Sequence, residues 1–139
     1  MMDTMRRVLA VAVMVGAVAG CATYRDALAR GQDSFEKNEY ERSLGVLRAL
    51  EPDVGRLSPA EQAQYAYLRG MTDYRMGYRA DARHWLALAR AHDDASPGAL
   101  PAAWKTRMTD ALAELDDVVH TEGLAALATP RKPAESPPR

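Results

Sequence analysis

Cysteine is almost absent from this 139-residue chain. Cys21 stands alone, so no intramolecular disulfide forms and no thiolate cluster gathers a metal. Aromatic residues make up 6% of the sequence, and β-branched residues are sparse beyond the leader, which leaves little material for a sheet. An excess of charge of one sign is missing too. The 18 Lys and Arg nearly balance the 19 Asp and Glu, a net charge of −1. That balance removes the electrostatic case for nucleic acid or for docking on anionic lipid. No glycine-rich phosphate loop and no nucleophile motif occurs. The histidines are His84, His92 and His120. His84 and His92 share a helical face but stand about 12 Å apart by helical rise, too far to share a metal. The expectation is therefore no enzyme, no metal and no cofactor.

What the chain does have is alanine, leucine and arginine at helical spacing, which points to an all-α fold. The organising stretch is Tyr67–Leu88. Tyr67, Gly70, Met71 and Tyr74 fall at i, i+3, i+4 and i+7, one face of a helix. Gly77 then suits the left-handed cap that ends such a helix. Ala82, Leu86 and Ala89 open a second stripe after a short turn, giving an antiparallel hairpin with small residues at the facing positions. The same pattern stands 39 residues earlier: Leu28, Arg30, Gly31, Phe35, Asn38, Ser43, Leu47 and Leu50 superpose on Tyr67, Arg69, Gly70, Tyr74, Gly77, Ala82, Leu86 and Ala89.

On these residues the chain from 24 to 92 resembles a tetratricopeptide repeat protein. The small residue of the family's first helix matches Gly31 and Gly70, and the turn glycine matches Gly77, with Asn38 in its place in the first copy. The small residue opening the second helix matches Ser43 and Ala82, and the large apolar one matches Leu47 and Leu86. Tyr40 fits the turn tyrosine and Pro52 the closing proline. The chain departs from the pattern at Ala27 and Ala66, where the family has tryptophan, at Arg30 and Arg69, where it has leucine, and at Asp73, where it has an aromatic. The resemblance implies a short right-handed superhelix of two helix hairpins, closed by a C-terminal capping helix. Two repeats are fewer than the roughly three needed to bury a continuous core, so the cap or a partner must supply apolar area.

Met1–Gly20 has the layout of a targeting segment, with Arg6 and Arg7 ahead of the uncharged run Val8–Ala19. That run is too short to span a bilayer. Val18-Ala19-Gly20-Cys21 directly after it resembles the lipobox of bacterial lipoproteins. This implies a diacylglyceryl thioether on Cys21, cleavage before it and acylation of the new amino terminus. Loss of Asp3, Arg6 and Arg7 with the leader takes the balance to about −2. Two or more acyl chains anchor stably where one holds only marginally. Ala22 is not the acidic residue associated with inner-membrane retention, so the expected location is the periplasmic face of the outer membrane.

Along the mature chain, helices are expected over Tyr24–Lys37 and Tyr40–Leu50, followed by a linker at Glu51–Leu57. A third helix opens on Ser58-Pro59-Ala60-Glu61, a capping box with proline at the first turn. A fourth covers Arg79–His92, Asp93–Pro101 is a loop, and a fifth covers Ala102–His120 with Trp104, Met108, Leu112, Leu115 and Val119 in one stripe. The helical domain is thus 21–128, and Thr129–Arg139, rich in proline and charge, is expected to be a disordered tail.

In the repeat family the first helix of each pair lines a concave, partner-binding surface. Carried over, the resemblance implies a groove of Arg25, Leu28, Gln32, Phe35 and Glu36 from the first copy, and Gln64, Tyr67, Met71, Tyr74 and Arg75 from the second. Tyrosine, methionine and arginine are typical of interface hot spots, although Tyr67, Met71 and Tyr74 serve a core equally well. Trp85 is expected between the repeats or against helix five. Arg69 can pair with Asp73 at i+4, and Arg30 with Asp33 at i+3, so the repeated arginines form either an ion-pair seam or a solvated face. The functional expectation is a lipid-tethered adaptor that binds protein partners in envelope complex assembly, without nucleic acid. The alternative is a structural subunit that self-associates or stacks into a larger machine.

Overall fold

The computed structural model describes residues 23–133; the leader, Cys21 and its expected acylation, and residues 134–139 lie outside them. The described residues are all-α. Helix α1 covers 23–36, α2 Tyr40–Leu50, α3 Pro59–Met76, α4 Arg79–Ala95 and α5 Ala102–Glu122. The expected boundaries hold to within three residues. One expected linker is wrong: Glu51–Arg56 forms a 3-10 helix, with Pro52 in its first turn and Leu57 buried just after it. A second 3-10 helix, Leu124–Ala128, follows α5.

Local chemistry sets the ends of α3. The Ser58 hydroxyl accepts from the Glu61 N–H at 3.2 Å while the Glu61 carboxylate accepts from the Ser58 N–H at 2.8 Å, the reciprocal box expected from the sequence. The helix stops at Gly77, where φ of 86° puts the backbone in the left-handed region. Asn38, its counterpart 39 residues earlier, reaches φ of 61° and is the only non-glycine residue with positive φ among those described. Asparagine tolerates this region better than other side chains.

Each hairpin closes through one glycine–leucine contact. A Cβ built on Gly70 would stand 2.7 Å from Leu86 Cγ and 2.9 Å from the Leu86 backbone nitrogen. On Gly31 it would stand 2.8 Å from Leu47 Cδ2. The contacts occupy equivalent places in the repeat, so the small residue in each first helix is there to admit the leucine of the second. Leu47, Leu86, Ala82 and Ala89 are fully buried. Ser43 ties α1 to α2 by donating to the Gly31 carbonyl at 2.9 Å, and its oxygen lies 3.3 Å from Thr72 Oγ1 on α3.

Between the hairpins lies a buried polar seam. Arg69, 6% exposed at its side chain, donates from Nε to Asp73 at 3.0 Å and from Nη1 to Glu51 in the first 3-10 helix. Tyr65 donates to the Leu47 carbonyl at 2.9 Å. Trp85 stands edge-on to Tyr65 at 5.5 Å, with the Arg69 guanidinium 5.1 Å over its ring. Both of these partners belong to α3, so Trp85 packs within its own hairpin, on the arginine that reaches Glu51. Arg69 makes the seam and Arg30 does not: Arg30 is exposed, and Asp33 pairs with Lys37 at 2.7 Å instead.

The α4–α5 connection also corrects an expectation. Asp93 belongs to α4 rather than to a loop, is buried, accepts from the Leu100 N–H at 3.0 Å and pairs with Lys105 at 2.8 Å. The hydrogen bond from Lys105 holds its carboxyl below the usual range. In the α5 stripe Met108, Leu112 and Leu115 are buried, joined by Ala111, whereas Trp104 and Val119 are half-buried. Buried Arg79 donates to the carbonyls of Ala126 and Thr129 and so holds the second 3-10 helix against α4. The described start of the tail, 129–133, is not free: the Arg131 N–H donates to the Gly77 carbonyl at 2.9 Å.

Two predictions follow from this packing. Gly70→Ala should destabilise the fold by about 1–3 kcal/mol despite the better helix propensity of alanine, because backbone blocks the new methyl. Gly31→Ala should cost less, since only the leucine tip must move; urea unfolding followed by circular dichroism ranks the two. The second concerns Asp73, which is fully buried with Oδ1 unpartnered among the described residues. Burial pushes its carboxyl up to about 6, against the pull of Arg69, with Asp81 adding to the rise. The folded chain therefore keeps this proton at pH values where the unfolded chain has lost it, so the group's contribution to stability grows as pH falls through about 6. Relative to Asp73→Asn, the parent chain should gain about 1–3 kcal/mol between about pH 7.5 and about pH 4.5, read from paired denaturation curves.

Candidate functional site

The ends of α1 and α3 and the middle of α5 converge on two adjacent depressions. One, of about 400 Å³, is lined by Met71, Tyr74 and Arg75 of α3, by Arg107, Asp110, Ala111 and Glu114 of α5, and by Pro133. The other, of about 360 Å³, is lined by Phe35, Glu36, Asn38 and Tyr40 with Met71, Arg75 and Arg107. Met71, Arg75 and Arg107 are common to both, so together the depressions form a cleft with a thioether in its floor and two guanidinium groups on its walls.

Five of the ten expected groove residues, Phe35, Glu36, Met71, Tyr74 and Arg75, line this cleft. The other five do not. Leu28 and Tyr67 are core residues at 5% and 0% exposure, so assigning them to an open groove was wrong. For Tyr67 the reason is α5: its Trp104 stacks on Tyr67 with centroids 4.4 Å apart and planes 12° apart, covering part of α3 that the repeat pattern leaves bare. Gln64 is taken by the same closure and donates to the Ala99 carbonyl at 3.4 Å. Arg25 pairs with Glu61 at 2.7 Å, and Gln32 donates to Glu36 at 2.8 Å. Met71 is itself 3% exposed, so it serves as floor more than as a contact.

Several cleft residues were not anticipated. Arg107, Asp110, Ala111 and Glu114 fall at i, i+3, i+4 and i+7, a second face of α5 beside its apolar stripe. That spacing is visible in the sequence, but only packing decides that it meets α3. Tyr40, read as a turn residue, tilts against Phe35 with centroids 5.7 Å apart and donates to Asn38 at 2.7 Å. The two rings form one apolar lip.

The electrostatics of the cleft are mixed. Arg75 and Arg107 share the lining with Glu36, Asp110 and Glu114. The Tyr74 hydroxyl donates to Glu114, and burial together with that carboxylate drives its ionisation far above the ordinary phenol range. Tyr67 is also pushed up, chiefly by burial and against Arg107 and Arg75; its hydroxyl has no hydrogen-bond partner among the described residues. Among the described residues no group of three or more His, Cys, Asp and Glu stands in metal-binding geometry, and no helix is long and apolar enough to cross a membrane. An aromatic lip, a thioether floor and guanidinium walls suit a peptide that brings apolar side chains and backbone or carboxylate acceptors.

No family model matches the chain, and neither a curated protein nor a solved structure matches it.

Trp104 is the side chain by which α5 covers Tyr67. Trp104→Ala should destabilise the domain by about 2 kcal/mol and raise amide hydrogen exchange along α5 more than along α2, because it removes the plate covering Tyr67.

Proposed function

We propose that the chain is a lipid-anchored adaptor whose helical domain captures a partner protein in the cell envelope, in the cleft between α1, α3 and α5. One observation carries this reading. The first helix of each hairpin and the helix after them contribute one wall each to a single cleft holding Phe35, Tyr40, Met71, Tyr74, Arg75 and Arg107. This is the arrangement by which a tetratricopeptide-like right-handed superhelix presents a concave surface, and the repeated glycine–leucine contacts support that reading of the fold. The mechanism is stoichiometric. Acyl chains on Cys21 confine the domain to the membrane face and raise its local concentration, and the cleft holds a partner helix or extended segment by burying apolar side chains between the guanidinium groups. No bond is made or broken in the partner, and no metal or cofactor takes part.

The tether and the cleft are tested separately. Intact mass of the mature chain should show acyl chains on a polypeptide starting at Cys21, and Cys21→Ser should abolish both processing and flotation with membranes. For the cleft, in-membrane crosslinking followed by capture should recover a partner with the parent chain. Phe35→Ala, Tyr74→Ala and Arg75→Glu combined should lower that recovery at least about tenfold, since these side chains are not fully buried and fill the lip and wall. Undiminished recovery from the folded triple variant removes the cleft from the proposal.

A further inference from the structure

The first hairpin carries a depression of about 430 Å³ lined by Tyr24, Ala27 and Arg30 of α1, Val46 and Ala49 of α2, and Asp53 of the 3-10 helix. Shifted by 39 residues, Ala27, Arg30 and Val46 become Ala66, Arg69 and Trp85. Arg69 belongs to the seam where the second hairpin meets the first, with Trp85 half-buried beside its guanidinium, and there the face is largely closed. Ala66 is 1% exposed, and Arg69 is held by two carboxylates, one of them Glu51 from the 3-10 helix of the hairpin before it. In the first hairpin the same face is open. Arg30 and Ala49 are exposed, and Ser34 stands at i+4 from Arg30 where Asp73 stands from Arg69. Arg30 has no ion pair among the described residues.

We infer that this face is covered by the same face of a second copy, in a two-fold dimer where Arg30 of each chain pairs with Asp53 of the other. Charge decides the occupant. Arg30 and Asp53 both line the depression, so a two-fold rotation that sets two such faces together places cation and anion of one copy against those of the other. Asp53 sits on the same 3-10 helix that supplies Glu51 to Arg69, so an arginine of this repeat position already takes a carboxylate from that helix within one chain. Its present partner, Arg56, is a solvent-exposed i+3 neighbour at 3.2 Å, a pair worth little and readily exchanged. Ala27, Gly45 and Ala49 leave room for two helix pairs to approach closely. Head-to-tail stacking is closed off, because α5 and Leu124–Ala128 pack on α4, the helix that would receive the next hairpin. The contact does not depend on acylation, although confinement to a membrane would strengthen it by raising the local concentration.

Charge exchange tests this directly. Sedimentation velocity of the full chain in a density-matched non-ionic detergent, over about a hundredfold range of concentration, should show mass rising to that of two chains. Arg30→Asp and Asp53→Arg should each weaken association at least about tenfold by setting like charges opposite one another. The double variant Arg30→Asp with Asp53→Arg should restore the dimer, which also shows that each change leaves the fold intact. A chain that stays monomeric throughout, or a dimer indifferent to the single changes, overturns the inference. So does failure of the double variant to recover. Loss of vesicle binding by Arg30→Asp in a chain that never dimerises would assign the face to the lipid surface instead, and equally overturns it.

Discussion

A guanidinium group removed from water must find its counter-charges nearby, and Arg69 sets that constraint for this fold. An arginine of ordinary basicity does not shed its proton, so burial at 6% exposure obliges the surrounding elements to bring anions to it. Asp73 comes from its own helix and Glu51 from the preceding hairpin, and the second contribution is what couples the hairpins in a fixed orientation. Glu51 keeps 45% of its side chain in water, so its desolvation cost is small, while Asp73 bears the full cost and has its ionisation raised accordingly. Tyr65 and Trp85, edge-on to one another, complete the enclosure. Hydrophobic contact alone would allow the hairpins to slide; a buried cation with two fixed anions does not.

Much of the helical layout was legible because it rests on local signals. The Ser58–Glu61 box, the positive φ at Gly77 and Asn38, and the 39-residue displacement of the glycine–leucine contacts depend on residues close in sequence or on a repeat that announces itself. The misses came where local propensity yields to surroundings. Glu51–Arg56 contains proline and glycine and reads as a connector, yet Arg69 requires Glu51 at a set position, and a 3-10 turn places it there. Asp93 reads as a helix terminator, but the Leu100 N–H and Lys105 satisfy it inside the helix, which then runs on to Ala95.

The cleft was half legible, and the dividing line is α5. The groove expected from the first helices assumed that their concave side stays bare. With two hairpins among the described residues, the helix that closes the core lies partly on that side. It takes Tyr67 into the interior and contributes Arg107, Asp110 and Glu114 in return. The periodicity of α5 displays both of its faces, but nothing in a linear sequence says which tyrosine the tryptophan will cover. The aromatic pairs that decide this, Tyr67 with Trp104 and Phe35 with Tyr40, join residues whose partnership depends on how the helices cross.

The absent side chain at Gly77 has a reach that its turn geometry does not suggest. A Cβ there would lie 2.7 Å from the carbonyl carbon of Arg131 and 2.8 Å from the nitrogen of Lys132, because the chain returns to this corner after α5. The two left-handed corners are therefore not interchangeable: asparagine serves at position 38, but at 77 it would collide with polypeptide more than fifty residues downstream. One hydrogen atom in place of a methyl group thus latches the far end of the domain to its middle, and damage at that corner would first be felt as a loosened terminus.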